Sequence, residues 1–169
     1  EDEITYLKNE RKIFTQGNTL ADINSKYEFK SKNIFFLQDE MKLYSSERTL
    51  IKDLNNTLFE LGSFNYNIKD EYLKGTEITI IENSNLPSHK RNKFYFDNGF
   101  FDLKNEEFTT GMTKMHLKKN LFDRSENDPR IYGASSTHKN KITTINKAVF
   151  TSCKATDKCP PWRLEASKI

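Results

Sequence analysis

The chain has little glycine, proline or cysteine: its 169 residues include six, four and two of them, respectively, and a single tryptophan. This scarcity excludes collagen-like and low-complexity sequence. No apolar run approaches the roughly 18 residues that a membrane-spanning helix requires. Acidic and basic residues are interspersed, with a formal net charge of +3. Because no basic stripe is present, we expect no nucleic-acid partner.

Aromatic residues, by contrast, are plentiful. Thirteen Phe, seven Tyr and the Trp make up 12% of the chain. They favour strands and bury large apolar areas, which argues against the disorder that 30% charged residues would otherwise suggest. A chain of this length buries roughly 70% of its unfolded surface, so we expect one domain over residues 1–169.

Apolar residues recur at every second position, which places them on one face of successive strands. The clearest sets are Ile4/Tyr6, Tyr27/Phe29, Phe64/Tyr66/Ile68, Ile78/Ile80, Phe94/Phe96, Phe101/Leu103, Met115/Leu117 and Trp162/Leu164. Turn-forming residues separate them at intervals of about 8 to 12 residues, typical of short antiparallel strands. The pattern predicts an all-β chain of roughly 15 strands, which must close, fold into two sheets or coil as a solenoid.

Two segments need separate interpretation. Residues 37–61 carry apolar side chains at spacings of three and four, which alone would predict a helix. We favour strands there, because residues 49–52 and 57–60 are β-compatible and residues 53–56 between them are turn-like. A hairpin is predicted at Asp97-Asn98-Gly99, because Asn-Gly supplies the two positive-φ residues of a type I′ turn.

No catalytic or metal-binding motif is found. His89, His116 and His138 are widely separated and have no partner at metal-ligand spacing. His116 alternates with Met115 and Leu117 and is therefore predicted to face solvent. Phosphate loops, nucleophile elbows and paired carboxylates are also missing. We expect no enzyme activity, no metal and no cofactor.

The C-terminal segment carries the most informative motifs. Asp128-Pro129-Arg130-Ile131-Tyr132-Gly133 is followed by Ala148-Val149-Phe150-Thr151-Ser152-Cys153, and then by Pro160-Pro161-Trp162-Arg163-Leu164. In order and spacing they resemble the LPS-assembly outer-membrane protein family (LptD, also called OstA or Imp), at the junction between its periplasmic domain and its membrane barrel. The resemblance is specific over residues 128–169, and only the strand rhythm matches before them.

This resemblance implies an OstA-like antiparallel β-jellyroll (a β-taco), a twisted V of two sheets, with an outer-membrane barrel expected beyond residue 169. It also implies a place on the periplasmic side of the outer membrane of a Gram-negative bacterium. The partners would be lipopolysaccharide, an LptA-like periplasmic bridge protein that delivers it, and an LptE-like lipoprotein that plugs the barrel. The domain would accept lipopolysaccharide from the bridge and pass it to the barrel.

Two sets of residues are the candidate sites. For the lipid-binding groove we expect inward-facing apolar side chains: Phe64, Tyr66, Ile78, Ile80, Phe94, Phe96, Phe101, Leu103 and Met115. For docking of the bridge by strand addition we expect the N-terminal strands to supply an edge: Ile4, Tyr6, Ile13 and Phe14.

Cys153 and Cys159 lie six residues apart, and a loop of this length allows a local disulfide, two free thiols, or bonds to cysteines outside this chain. The resemblance implies that Cys153 bonds to the barrel domain in an oxidising periplasm. Cys159 matches no position of the family and leaves the local bridge open.

Two alternatives remain at this point. One is a soluble bridge protein of the same pathway and fold, which a coding sequence ending soon after Ile169 would select. The other is a carbohydrate-binding or carbohydrate-active β-solenoid, which requires an acidic cleft, whereas the carboxylates of this sequence are scattered among lysines.

Overall fold

A computed structural model describes residues 3–122, 127–154, 156 and 162–169. These residues form seventeen strands and three short 3-10 helices, and their strand pairings are antiparallel. The predicted all-β antiparallel, jellyroll-like fold is therefore confirmed, and residues 37–61 contain strands, not a helix. The β-solenoid alternative is wrong, because its coils require parallel pairing.

All seventeen strands belong to one hydrogen-bonded sheet, which folds into two facing parts, called here the first and second sheets, because β10, β11 and β16 run through both. Across the first sheet the order is β1 (Glu3–Leu7), β2 (Lys12–Gln16), β5 (Phe35–Leu37), β6 (Lys42–Ser45), β9 (Ser63–Asn67), the first half of β10 (Tyr72–Ile81), the second half of β11 (Lys93–Asp102), β12 (Glu107–Thr110), β15 (Ser135–Lys139) and the first half of β16 (Ile142–Thr151). Consecutive strands of this order hydrogen-bond to each other.

The second sheet is built from the remaining strands and half-strands. Its order is β3 (Asn18–Ile23), β4 (Tyr27–Lys32), β7 (Thr49–Asp53), β8 (Leu58–Leu61), the second half of β10, the first half of β11, β13 (Thr113–His116), β14 (Arg130–Gly133) and the second half of β16. β17 (Leu164–Lys168) pairs with β16 across both halves. The 3-10 helices are Lys8–Glu10, Ser88–Lys90 and Lys119–Phe122. No helix within the described ranges is long and apolar enough to cross a bilayer.

The two sheets join along one corner, where strands cross from one to the other. β10 and β16 bend at Glu77 and Lys147, each with a φ of 49°, and Gly17 turns the chain between β2 and β3 with a φ of 88°. Buried hydroxyl groups pair beside this corner: Ser31 with Thr49 at 2.7 Å, and Thr110 with Ser136 at 2.6 Å. These hydrogen bonds satisfy polar groups that the closed side of the V shields from water.

The hairpin predicted at Asp97-Asn98-Gly99 is wrong. β11 continues through this segment, with Asn98 opposite Thr76 and Gly99 opposite both Gly75 and Thr110. Hydrogen bonding to a strand on each side outweighs the local turn preference. Glycine fits for another reason, since a Cβ at residue 99 would lie 2.7 Å from the ring of Phe101.

The core lies between the sheets and is densest in the N-terminal half. Phe29 of the second sheet is fully buried, and its ring centroid lies 5.3 Å from that of Phe64 and 5.4 Å from that of Tyr66, both on the first sheet. Leu73 and Ile51 complete this closed packing, with 0% and 1% exposure. The aromatic residues thus supply the contact between the sheets.

Candidate functional site

Between the sheets lies an open cavity of about 550 Å³, lined mainly by the C-terminal half of the chain and also by Tyr27, Asp53 and Phe59 of the N-terminal half. Its floor consists of buried apolar side chains, among them Phe59, Ile80, Phe96, Phe101 and Met115. The side opposite the corner is open, because there the two sheets end in separate sets of turns. The cavity is therefore an apolar cleft that is reached from solvent on one side.

Strand register arranges the cleft walls in two rows. In the second sheet Ile80 pairs with Phe94, Phe94 with Met115, and Met115 with Ile131, so one row crosses four neighbouring strands. In the first sheet the facing row follows the same rule across β11, β12, β15 and β16: Phe101, Phe108, His138 and Thr143. Directly opposed residues lie on the same face of a sheet, which is why these side chains line one surface.

Aromatic rings occupy much of this surface. Phe108 lies at its centre, with ring-centroid distances of 5.7 Å to Phe101, 5.9 Å to Phe96 and 5.3 Å to His138. Such rings are large, rigid and apolar, so they offer contact area without losing much conformational freedom. The walls are suited to an apolar, flexible ligand.

All nine residues predicted for the groove lie on the inner faces of the two sheets, within or against the buried cluster. Six of them line the cleft: Ile80, Phe94, Phe96, Phe101, Leu103 and Met115. Phe64, Tyr66 and Ile78 belong instead to the packed core, with exposures of 4%, 1% and 1%. The alternation pattern thus gives the direction of the side chains but not where the sheets separate.

Several cleft residues escaped the sequence analysis as site candidates. They are Tyr27, Phe59, Phe108, Leu117, Ile131, Ile145 and Ile169. Phe108 is the only large apolar residue of β12, and alternation cannot be recognised from one residue. Tyr27 and Leu117 follow the alternation pattern, which predicts strands at both positions. Nothing in the sequence indicates that they lie beside the other cleft residues.

The mouth of the cleft is negatively charged. Five carboxylates contribute to the lining: Asp53, Glu82, Asp102, Glu106 and Glu107. In the described part of this lining no Lys or Arg is present, although Lys139 contacts Glu107 from outside at 3.7 Å. Folding therefore gathers carboxylates that are scattered in the sequence.

Two groups of the lining have shifted pKa values, and the shift of Tyr27 reflects the negative charge around it. The pKa of Tyr27 is raised, chiefly by burial and then by the carboxylates of Glu71, Asp53 and Glu106. Asp53 lies on the second sheet, whereas Glu71 and Glu106 lie in turns of the first sheet. Carboxylates from both sides of the mouth therefore raise the pKa of Tyr27. The pKa of Asp102 is lowered because the side chain and backbone of Asn105 donate hydrogen bonds to it, at 2.7 and 3.0 Å, which keeps it ionised at neutral pH.

The ends of the sheets present strand edges. In the described part of the chain β1 pairs only with β2, β3 only with β4, and β17 only with β16. Of the predicted docking residues, Ile4 and Tyr6 lie on β1 and are 75% and 52% exposed. Ile13 and Phe14 lie on β2, which is already paired with β1 and β5, so their backbone is not at an edge.

Cys153 forms no disulfide with another described residue. Its Sγ lies 3.7 Å from the carbonyl oxygen of Trp162, within hydrogen-bonding distance for sulfur. Cys159 and Pro160-Pro161 lie outside the described residues. Within the described ranges no group of three or more His, Cys, Asp or Glu side chains is arranged to hold a metal ion.

Comparison with known proteins gives no relative: no protein-family model matches this chain, and no curated protein does either. The resemblance of residues 128–169 to the LptD family stays a prediction.

Proposed function

We propose that this chain is a lipid-carrying β-jellyroll, the periplasmic domain of an outer-membrane lipopolysaccharide translocon. The observation that supports this most is the cleft of about 550 Å³, whose floor is apolar and whose long side is open. This volume is within the range of small-molecule sites, roughly 300 to 1,000 Å³. An acyl chain lies along the floor while the rest of the lipid stays in water.

Burial of hydrocarbon supplies the binding free energy. Each methylene removed from water contributes roughly 0.8 kcal/mol, so eight methylenes contribute about 6 kcal/mol before the cost of association. The row from Ile80 to Ile131 is apolar on each of the four strands that it crosses, so this part of the floor continues from one strand to the next. The facing row is apolar at Phe101 and Phe108 and polar at His138 and Thr143. A continuous apolar row allows a chain to slide without re-entering water.

The carboxylates at the mouth of the cleft determine which polar groups of the lipid can lie beside them. Carboxylates accept hydrogen bonds from sugar hydroxyl and amide groups, but they repel phosphates. We expect lipopolysaccharide to place its sugar hydroxyls near Glu82 and Glu106, with its phosphates farther from the rim. Binding of an anionic lipid is then weaker at low salt than at high salt.

Delivery and release use the strand edges in this proposal. An LptA-like bridge would add a strand to β1, whose outward edge no other described strand covers. Lipid would leave near β17, which lies within residues 128–169, the segment that resembles the junction with the barrel. Cys153 lies in that segment, so a bond from it to a barrel domain fits this arrangement.

Site-specific photo-crosslinking tests the proposal. A benzophenone amino acid replaces Phe96 or Phe108 on the cleft walls, and Phe100 or Thr109 on the opposite faces of the same strands serve as matched controls. With purified lipopolysaccharide we expect adducts at residues 96 and 108 and none at 100 and 109. Equal labelling of both faces, or none inside the cleft, would contradict the proposed function.

A further inference from the structure

A second, smaller cavity lies on the outer face of the second sheet, on the far side of the sheet from the cleft. It has a volume of about 250 Å³ and is bounded by β11, β13, β14 and the two loops with the 3-10 helices Ser88–Lys90 and Lys119–Phe122. Its lining is basic, with Arg91, Lys93, Lys119 and Arg130 against one carboxylate, Asp128. We call it the basic pocket.

Strand register concentrates cations at the base of this pocket. His116 on β13 lies directly opposite Lys93 on β11 and directly opposite Arg130 on β14. The three side chains therefore share one face of three adjacent strands. Arg130 is only 7% exposed and donates to the carbonyl oxygens of Asp128 at 3.1 Å and Cys153 at 2.6 Å, which fixes its position.

The loops fix the upper part of the basic pocket. Arg91 donates through Nε to the carbonyl oxygen of Leu86, and Lys119 forms an ion pair with Asp128 at 2.9 Å. The backbone N–H of Lys118 donates to Asn92 Oδ1 at 3.0 Å, which ties the second loop to the first. Among the described lining residues four are cations and one is a carboxylate, so this part of the pocket carries an excess of positive charge.

One polar atom in the pocket wall has no partner. Nε2 of His116 is buried and makes no hydrogen bond with any described residue. Alternation with Met115 and Leu117 predicts a solvent-facing histidine. His116 does lie on the outer face of the sheet, but its Nε2 is buried. Burial, followed by the charges of Lys114 and Arg130, lowers the pKa of the imidazole, whereas Asp128 opposes this effect. An anion in the pocket would offset the neighbouring cations, and it would accept a hydrogen bond from Nε2–H after a rotation of the ring, because that atom has no accessible surface in this conformation.

We propose that the basic pocket binds the phosphate of a phosphomonoester. The converging donors are Lys93, His116 and the loop cations, and a compact dianion accepts from several of them at once. The volume of about 250 Å³ is about eight times the share of one water in the liquid, roughly 30 Å³, so it admits the phosphate and part of the attached group. Tyr95, whose ring lies 5.6 Å from that of His116, gives this group an aromatic wall.

Nucleic-acid binding does not explain the arrangement, because the cations converge in a concave pocket and do not follow a stripe along the surface. The inference is also independent of the lipid cleft. The two sites lie on opposite faces of the second sheet and share only Leu117 among their lining residues. A failure to bind lipid in the cleft would therefore not contradict phosphate binding in the basic pocket. A failure to bind phosphate there would not contradict lipid binding in the cleft.

The test is titration of the 169-residue chain with glucose 1-phosphate at low ionic strength, followed by calorimetry and by the imidazole NMR signals of its histidines. Glucose is the matched neutral ligand. We expect glucose 1-phosphate to bind and to shift the signal of His116, and glucose to do neither. Lys93→Ala and His116→Gln should each weaken binding by about tenfold or more, and Lys30→Ala, an exposed cation on the same outer face, should leave it unchanged.

Vesicles that contain phosphatidic acid, compared with vesicles of phosphatidylcholine alone, separate a lipid headgroup from a free phosphate compound. Binding to phosphatidic acid that is lost in Lys93→Ala identifies a lipid phosphomonoester, whereas binding of glucose 1-phosphate alone identifies a small soluble ligand. The proposal is overturned if neither phosphate binds, or if Lys30→Ala and Lys93→Ala weaken binding equally. Circular dichroism of each variant ensures that a lost fold is not taken for a lost site.

Discussion

The two halves of this molecule share one strand pattern but differ in their interior. In the N-terminal half Phe29 meets Phe64 and Tyr66 across the sheets at ring-centroid distances of 5.3 and 5.4 Å, and all three side chains are buried. In the C-terminal half Phe96, Phe101 and Phe108 face an open cleft. The same alternation of apolar and polar residues thus builds either a closed core or a lined groove.

The difference comes from which side chains span the gap. Phe29 and Ile51 on the second sheet fill the space opposite β9, with 0% and 1% exposure. Farther along, the inward positions on β15 and β16 of the first sheet are taken by His138 and Thr143. These side chains are smaller or more polar than phenylalanine and do not fill the space between the sheets. We infer that the closed half holds the sheets together, so that the open half can stay unfilled.

The largest expected effect is the contrast between Phe29→Ala and Phe108→Ala. Removing a fully buried ring from the closed half should lower the free energy of unfolding by about 3 to 5 kcal/mol. Phe108 borders an existing cavity, so its loss should cost only about 1 to 2 kcal/mol. Urea denaturation measures both. Equal losses would mean that the halves are packed alike.

Substitutions that add side-chain volume should weaken lipid binding in the open half and lower stability in the closed half. Ile145→Phe places a larger side chain in the cleft, and we expect an about tenfold loss of lipid affinity with a change in unfolding free energy below about 1 kcal/mol. Ile51→Phe in the closed half should instead cost about 1 to 3 kcal/mol through overpacking and leave the affinity of the folded protein unchanged. Unchanged affinity in Ile145→Phe would place the lipid elsewhere.

Alkaline pH should act on the closed half through Tyr66. Burial, then the neighbouring Tyr27 and Glu71, raise the pKa of its phenol above the ordinary value. The stabilisation from the neutral phenol is complete below pH 10 and is lost as the pH rises from 10 toward the raised pKa, at about 1.4 kcal/mol per pH unit for each such tyrosine. In Tyr66→Phe, unfolding free energy measured from pH 9 to 11 should fall less steeply than in the unmodified chain. Parallel curves would contradict this.

The smallest expected effect concerns the mouth. Glu106→Gln removes one of five carboxylates from the cleft lining and should raise the affinity for a fatty acid, an anionic lipid without sugar hydroxyls, about two- to threefold at low salt. The gain should shrink in 0.5 M NaCl and be missing for a zwitterionic lipid of the same chain length. Fluorescence titration gives all these affinities. A loss of affinity in Glu106→Gln would mean that the carboxylate contacts the lipid favourably.

Parts of this comparison were predictable from the sequence and parts were not. Alternation at Phe94/Phe96 and Phe101/Leu103 predicts inward side chains, because the period of two is a local property of a strand. The path of the chain at Asn98-Gly99 was not predictable, since pairing with β10 and β12 decides it. Where the sheets separate depends on long-range packing, which no local pattern contains.

The basic pocket also could not be predicted from local sequence patterns. Lys93, His116 and Arg130 are far apart in the chain, and they meet only because β11, β13 and β14 align in one register. A single-sequence pattern gives no signal for that register, whereas alternation with Met115 and Leu117 predicted that His116 lies on the outward face of β13.

The most direct test of the lipid account uses the three methionines. Met115 lines the cleft and is 4% exposed, whereas Met41 and Met112 are 41% and 64% exposed and lie outside the cleft lining. The chain is labelled with ¹³C at the methionine methyl groups and titrated with a lipid that carries a nitroxide near the end of its acyl chain. The account predicts saturable broadening that is strongest for Met115, weaker for Met112, which is three residues away, and smallest for Met41 in the turn between β5 and β6. A Met115 signal that stays sharp while the exposed methionines broaden would contradict it.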